Sequence, residues 1–114
     1  MPCLTLSTNV SLDNVDTSSI LSEASSTIAN ILDKPESHLM VLLKGSVAIS
    51  FGGTNDPAAY GELVSIGLTA EANKKLSAAI AEILEKKLSV PKSRFFIKFY
   101  DTQGSNFGWN GSTL

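Results

Sequence analysis

Three groups in the first third of this chain could do chemistry: Pro2, Cys3 and His38. An initiator methionine ahead of a residue as small as proline is commonly removed. Removal of Met1 would leave Pro2 with a free secondary amine at the head of an apolar segment, and such an amine is a base. The structural alternative is that Pro2 merely opens a strand, since proline has no N–H to offer a sheet ladder and is suited to a strand's first position. Cys3 is the only cysteine, so an intrachain disulfide is excluded and a reduced, cytosol-like setting fits. His38 is the only histidine and reads as a surface or strand residue rather than a ligand, with no second imidazole for a histidine-based metal site. Gly52-Gly53 is followed by neither a P-loop lysine nor a helix start, so it reads as turn chemistry rather than a phosphate cradle.

These groups must be held by a small fold. Apolar residues at Ile20, Leu21, Ala24, Ile28, Ile31 and Leu32 recur at helical spacing behind the capping cluster Asp16-Thr17-Ser18. Leu76, Ala79, Ile80, Ile83, Leu84 and Leu88 do the same behind Thr69. Each helix runs out at a proline, and the sequences there correspond: Pro35-Glu36-Ser37-His38 before Leu39-Met40-Val41, and Pro91-Lys92-Ser93-Arg94 before Phe95-Phe96-Ile97. With strands expected at Cys3–Thr8 and from about Gly61 to Ile66, the chain reads as two β-α-β units joined by residues 45–60. Right-handed crossovers place both helices on one face of a four-stranded mixed sheet. Runs such as Leu39-Met40-Val41-Leu42-Leu43 are apolar on both faces, so the second face needs another apolar surface, and another copy of the chain is the natural supplier.

At 114 residues one domain spanning 1–114 is expected, with room for a two-layer core and little else. A net charge of −2 without a basic arm argues against nucleic acid as partner. No apolar run is long enough for a membrane span, and no charged-then-apolar leader opens the chain, so a cytoplasmic protein with no membrane partner is expected. Two Asn-x-Ser sequons, at Asn9 and Asn110, read as chance without a secretory route. The terminal Ser112-Thr113-Leu114 differs by one residue from a peroxisomal Ser-Lys-Leu address, a weak hint only.

Met1-Pro2 with Thr8-Asn9-Val10, Lys34-Pro35, Phe51-Gly52-Gly53, Ser65-Ile66-Gly67, Phe99-Tyr100-Asp101 and Gly108-Trp109-Asn110 together resemble the macrophage migration inhibitory factor and D-dopachrome tautomerase family, its plant branch most. These motifs cover the whole chain in family order. The resemblance implies a homotrimer with sheets lining a central channel and three pockets at subunit interfaces. It also implies keto–enol tautomerisation of phenylpyruvate- or dopachrome-type substrates, with no cofactor and no metal. Pro2 corresponds to the catalytic base, Lys34 to the lysine that grips the substrate carboxylate, and Ile66 to a residue whose backbone N–H assists. Phe107 and Trp109 fall where the family closes its pocket with apolar side chains.

Two positions depart from the pattern. Phe96 stands where the best-known members have a pocket tyrosine donated by a neighbouring subunit, and Lys98 where they have an asparagine. Ala58-Ala59-Tyr60-Gly61 occupies the place of a Cys-x-x-Cys, so no oxidoreductase function is carried over.

A base that removes a proton beside a ketone must be neutral at working pH, whereas a terminal amine titrates near pH 8, roughly, and a prolyl amine higher. Burial and neighbouring cations would lower it, and Lys34 and Lys98 could supply the cations. Losing the phenolic donor at Phe96 costs a hydrogen bond to substrate, commonly ~1–3 kcal/mol. The added charge at Lys98 suits a second acidic group. The expectation is weak turnover of arylpyruvates or preference for a more acidic keto acid. The alternative is a cytokine-like protein that binds a protein receptor, is exported without a signal peptide and turns over little.

Overall fold

The computed structural model describes residues 1–114. Four strands, β1 (Cys3–Thr8), β2 (Met40–Lys44), β3 (Ala59–Ile66) and β4 (Phe95–Thr102), form one mixed sheet in the order β2-β1-β3-β4. The outer pairs β1–β2 and β3–β4 are parallel and the central pair β1–β3 is antiparallel. Helices α1 (Thr17–Leu32) and α2 (Ala70–Leu88) make the parallel crossovers, as the two-unit reading of the sequence expects.

Both helices start where the sequence places their caps. Asp16 accepts the Ser19 N–H at 3.1 Å and Thr69 accepts that of Ala72 at 3.1 Å, each satisfying a donor left free at a helix start. Both helices end in a left-handed residue, Asp33 at φ 52° and Ser89 at φ 55°, followed at one residue's remove by the proline that prevents continuation. A 3-10 turn then closes each unit, Glu36–His38 in the first and Lys92–Arg94 in the second. The repeat is thus structural as well as sequential.

Alternation along the strands sorts the two sheet faces. Leu4, Leu6, Ala59, Leu63 and Phe95 point towards the helices, where they meet Ile20, Ile28, Leu76, Ile80 and Leu84 in one buried cluster. Burial of each large aliphatic side chain is worth about 1.5–3 kcal/mol, and this cluster is where most of the fold's stabilisation resides. The opposite face has no covering layer within the chain. Its transverse rows run Met40-Cys3-Val64-Tyr100, Leu42-Thr5-Glu62-Lys98 and Lys44-Ser7-Tyr60-Phe96. Phe96 is 66% exposed and Met40 60%, values that mark this face as incomplete in a lone protomer.

The connection between the units is fastened rather than loose. Arg94 donates through Nε to the Pro57 carbonyl at 2.9 Å, through Nη1 to Phe51 at 3.1 Å, and through Nη2 to Asp56 at 3.0 Å. The Asn9 amide holds the other side, donating to the Asn55 and Asp56 carbonyls and accepting the Ala58 N–H at 2.9 Å. β3 begins at Ala59, two residues before the expected start, and Thr8 Oγ1 donates to the Ala58 carbonyl at 2.8 Å just ahead of it. A terminal hairpin, β5 (Gly108–Trp109) and β6 (Ser112–Thr113), is an addition to the expected elements. Asn110 at φ 53° and Gly111 at φ 76° form its turn, the Asn-Gly pairing that a two-residue hairpin with two left-handed positions favours.

Candidate active site

Pro2 lies directly ahead of β1, and its carbonyl accepts the Met40 N–H at 3.0 Å. That bond extends the β1–β2 ladder to the chain's second residue. The Pro2 ring is fully buried, and Met1 projects from it into a cavity of about 360 Å³. Met1, Pro2, Cys3, His38, Phe107 and Trp109 line this space. Phe107 and Trp109 come from the terminal hairpin and its approach, which fold back over the end of the β1–β2 edge.

Lys34 approaches the Met1 amine from the end of α1, standing behind the cavity lining. The left-handed turn at Asp33, with the Lys34 N–H closing on the Ala29 carbonyl at 3.0 Å, turns the chain back towards the sheet. The Lys34 ammonium donates to the Ile66 carbonyl at 2.8 Å and to the Ser65 hydroxyl at 3.3 Å. Ile66 therefore contributes its carbonyl to the position of Lys34. The turn that follows is tied by Asp101, whose carboxylate accepts the Gly67 N–H at 2.9 Å and the Leu68 N–H at 3.1 Å.

The electrostatic effect falls on the Met1 amine. Partial burial disfavours its charged form, and the Lys34 charge and hydrogen bond beside it lower its pKa further. Burial pushes the Cys3 thiol up, which keeps it protonated at neutral pH. An amine of lowered basicity, an ammonium and apolar walls can between them take up a proton and hold an anion.

The site residues read from the sequence separate into two groups. Pro2, Lys34, Ile66, Phe107 and Trp109 converge at one end of the sheet. Phe96 and Lys98 lie on β4, with β1 and β3 between them and β2, on the uncovered face. Phe96 packs edge-on against Phe51 with ring centroids 4.9 Å apart, and the Lys98 ammonium sits 5.1 Å from the centre of the Tyr100 ring. Within a protomer neither lines the Pro2 cavity. His38 is exposed, as its reading as a surface residue expects, and its ring stands 5.5 Å from that of Trp109 at the cavity's rim. The signal available was its place in the Pro-x-Ser-x repeat, immediately before a strand. Ser65 and Asp101 were visible only as parts of motifs, their roles being set by contacts distant in sequence. No group of three His, Cys, Asp or Glu side chains is placed to hold a metal ion.

Comparison with known proteins agrees with this architecture over the full chain. The family model described as macrophage migration inhibitory factor matches residues 1–114. A macrophage migration inhibitory factor homolog of Trichinella spiralis is 42% identical over 115 residues, covering 100% of both chains. The solved structure of the Trichinella spiralis factor superposes with a TM-score of 0.91 at 40% identity, covering 98% of this chain and 99% of that one. A homologue from Prochlorococcus marinus superposes with a TM-score of 0.93 at 34% identity, covering 97% of each chain. These relatives add nothing to the resemblance to a plant branch. A match that runs from Met1 to Leu114 at this identity, on the same two-unit fold, places the chain in the macrophage migration inhibitory factor family.

Proposed function

We propose that this protein is a keto–enol tautomerase in which the Pro2 nitrogen, freed by removal of Met1, is the general base. The observation that carries this reading is the site built at the chain's start: burial and Lys34 already lower the basicity of the Met1 amine there, beside a cavity with apolar walls. While Met1 is attached, the Pro2 nitrogen is an amide without basicity and Met1 forms part of the cavity wall. Its removal supplies the base and opens the cavity onto it in one step.

A small keto acid would bind with its carboxylate on Lys34 and its organic group against Phe107 and Trp109. Two of the three Lys34 donors are engaged by Ile66 and Ser65, and the third, which faces the Met1 amine in the uncleaved chain, is the one the substrate would take. The Pro2 nitrogen takes the proton from the carbon beside the ketone. The C–H electron pair becomes the enolate double bond, and the carbonyl pair moves to oxygen, where Lys34 stabilises the charge. A proton from solvent on that oxygen gives the enol, and the reverse sequence regenerates the ketone. The Ile66 N–H is a further donor in this reading.

The working unit in this proposal is a homotrimer of single-domain protomers. The exposed Met40, Leu42, Tyr60 and Phe96 on the uncovered sheet face support association, and Phe96 and Lys98 would reach a Pro2 cavity only in another copy. Tautomerase assay of the Met1-free protein against Pro2→Ala and against a form with one extra N-terminal residue tests the assignment. Each change should lower turnover by about 10²–10⁴-fold, the usual contribution of a positioned base. Equal turnover by the extended form would exclude Pro2.

A second reading takes its cue from the names of the relatives, factors that inhibit macrophage migration: a signalling protein that acts by binding another protein. Receptor binding that survives Pro2→Ala would separate this role from catalysis.

A further inference from the structure

The two repeats put a basic side chain at the same place, and only one of them is fully engaged. Arg94 closes the second 3-10 turn, lies 5.2 Å over the Phe51 ring, and directs its donors at carbonyls of the connection between the units. His38 closes the first turn and likewise meets an aromatic ring, Trp109 at 5.5 Å with the planes inclined by 58°. His38 is exposed, and its contact with the fold is this ring, which leaves both imidazole nitrogens to solvent or to a ligand.

Its surroundings favour an anion. No carboxylate lines the cavity, and the other ionisable groups there are the terminal amine and the Cys3 thiol. Lys34 stands behind the amine and is the second cation serving this space. Glu36, two residues back on the His38 turn, Asp33, beside Lys34, and the C-terminal Leu114, whose N–H bonds the Phe107 carbonyl at 3.1 Å, all lie outside the lining. A ligand whose first carboxylate engages Lys34 therefore has apolar walls along its length and His38 at the rim. Lys98, whose charge first suggests a second acidic group, lies over Tyr100 on β4 and not in this cavity.

We infer that His38 is a specificity-determining residue: in its protonated form, backed by Trp109, it binds a second acidic group at the far end of a keto-acid ligand. The orientation assumed for that ligand rests on the tautomerase reading of the cavity. The contact needs the charged imidazolium, so the preference for diacids strengthens as pH falls. An imidazolium is also attracted to the indole ring more strongly than a neutral imidazole, which holds it at the rim when charged.

Trp109 is the sole tryptophan, so its fluorescence reads ligand binding at this spot without any need for turnover. The test compares phenylpyruvate with its 4-carboxylated analogue, bound to the Met1-free protein at about pH 5.5 and about pH 8. The carboxylated ligand should gain about tenfold in relative affinity at the lower pH, the scale of one charge-assisted contact in a partly exposed site. His38→Gln should remove the gain, and His38→Lys should retain it at both pH values. A relative affinity that ignores pH in the parent, a gain that survives in His38→Gln, or no quenching by either keto acid would each overturn the inference. Because binding is measured, loss of tautomerase activity with the pH-dependent preference intact would count against the proposed catalysis alone.

Discussion

The Lys34 ammonium donates to the Ile66 carbonyl at 2.8 Å, joining the end of α1 to the end of β3. Each residue closes an element from a different repeat unit, so the cation beside the terminal amine is fixed by tertiary structure rather than by local sequence. Its position ties the chemistry of the amine to the packing of the two units.

In the proposed reaction, activity should rise with pH through an inflection below that of a free prolyl amine, because the protonated amine is inactive as a base and Pro2 shares the burial and cation that lower the Met1 amine. Burial acts first on this group and Lys34 second, so Lys34→Ala should move the inflection upward without restoring a solvent-exposed value. The same variant should raise KM for keto acids. A pH profile of kcat/KM for parent and variant checks both shifts, and a downward movement of the inflection would contradict the assignment of the cation.

Cys3 should react slowly with iodoacetamide near neutral pH, since burial raises its pKa and the thiol rather than the thiolate is populated. The folded protein holds this proton more tightly than the unfolded chain. Stability from this group is thus complete below the unfolded thiol pKa and is lost as pH rises through the higher folded value. Alkylation rates against free cysteine, followed by mass, test the first point.

Arg94→Lys should loosen the connection between the repeats, because an ammonium cannot reproduce a guanidinium that bridges several carbonyls. A loss of about 1–3 kcal/mol is expected from the hydrogen bonds forfeited. Amide exchange should quicken at Thr54 and Ala58, whose N–H groups bond within this segment to Phe51 O and Asn9 Oδ1. Unchanged exchange there would show that Asn9 alone suffices to hold it.

Core and cap changes should separate by size. Leu63→Ala, at a side chain with no exposure, should cost about 2–5 kcal/mol through lost burial and the cavity left behind. Thr69→Ala should cost about 1 kcal/mol by freeing the Ala72 N–H at the start of α2. Denaturant midpoints of the two variants rank them directly.

The elements most legible in the sequence are those whose evidence is local. Asp16 and Thr69 announce helix starts, the apolar spacing from Ile20 to Leu32 marks a buried stripe, and the paired Pro-x-Ser-x segments reveal the repeat. The terminal hairpin was less legible because its strands are two residues each, too short for alternation to register, although Asn110-Gly111 carries its turn signal. Within the site, Pro2 and Lys34 could be picked out through motifs. His38 could not, because its partner Trp109 comes from the far end of the chain, and Asp101 serves a turn that precedes it by a whole helix.

The hydrogen bond from Met40 N–H to the Pro2 carbonyl has a consequence for how such a catalyst is built. A base carried by main chain has no rotamers, so its aim is set by the sheet and nothing is lost in freezing it on substrate. Every other residue at this position would offer a primary amine in place of proline's ring-held secondary one. Any residue, tag or acyl group placed ahead of it turns an amine into an amide, so switching it off requires one covalent bond and no change of shape.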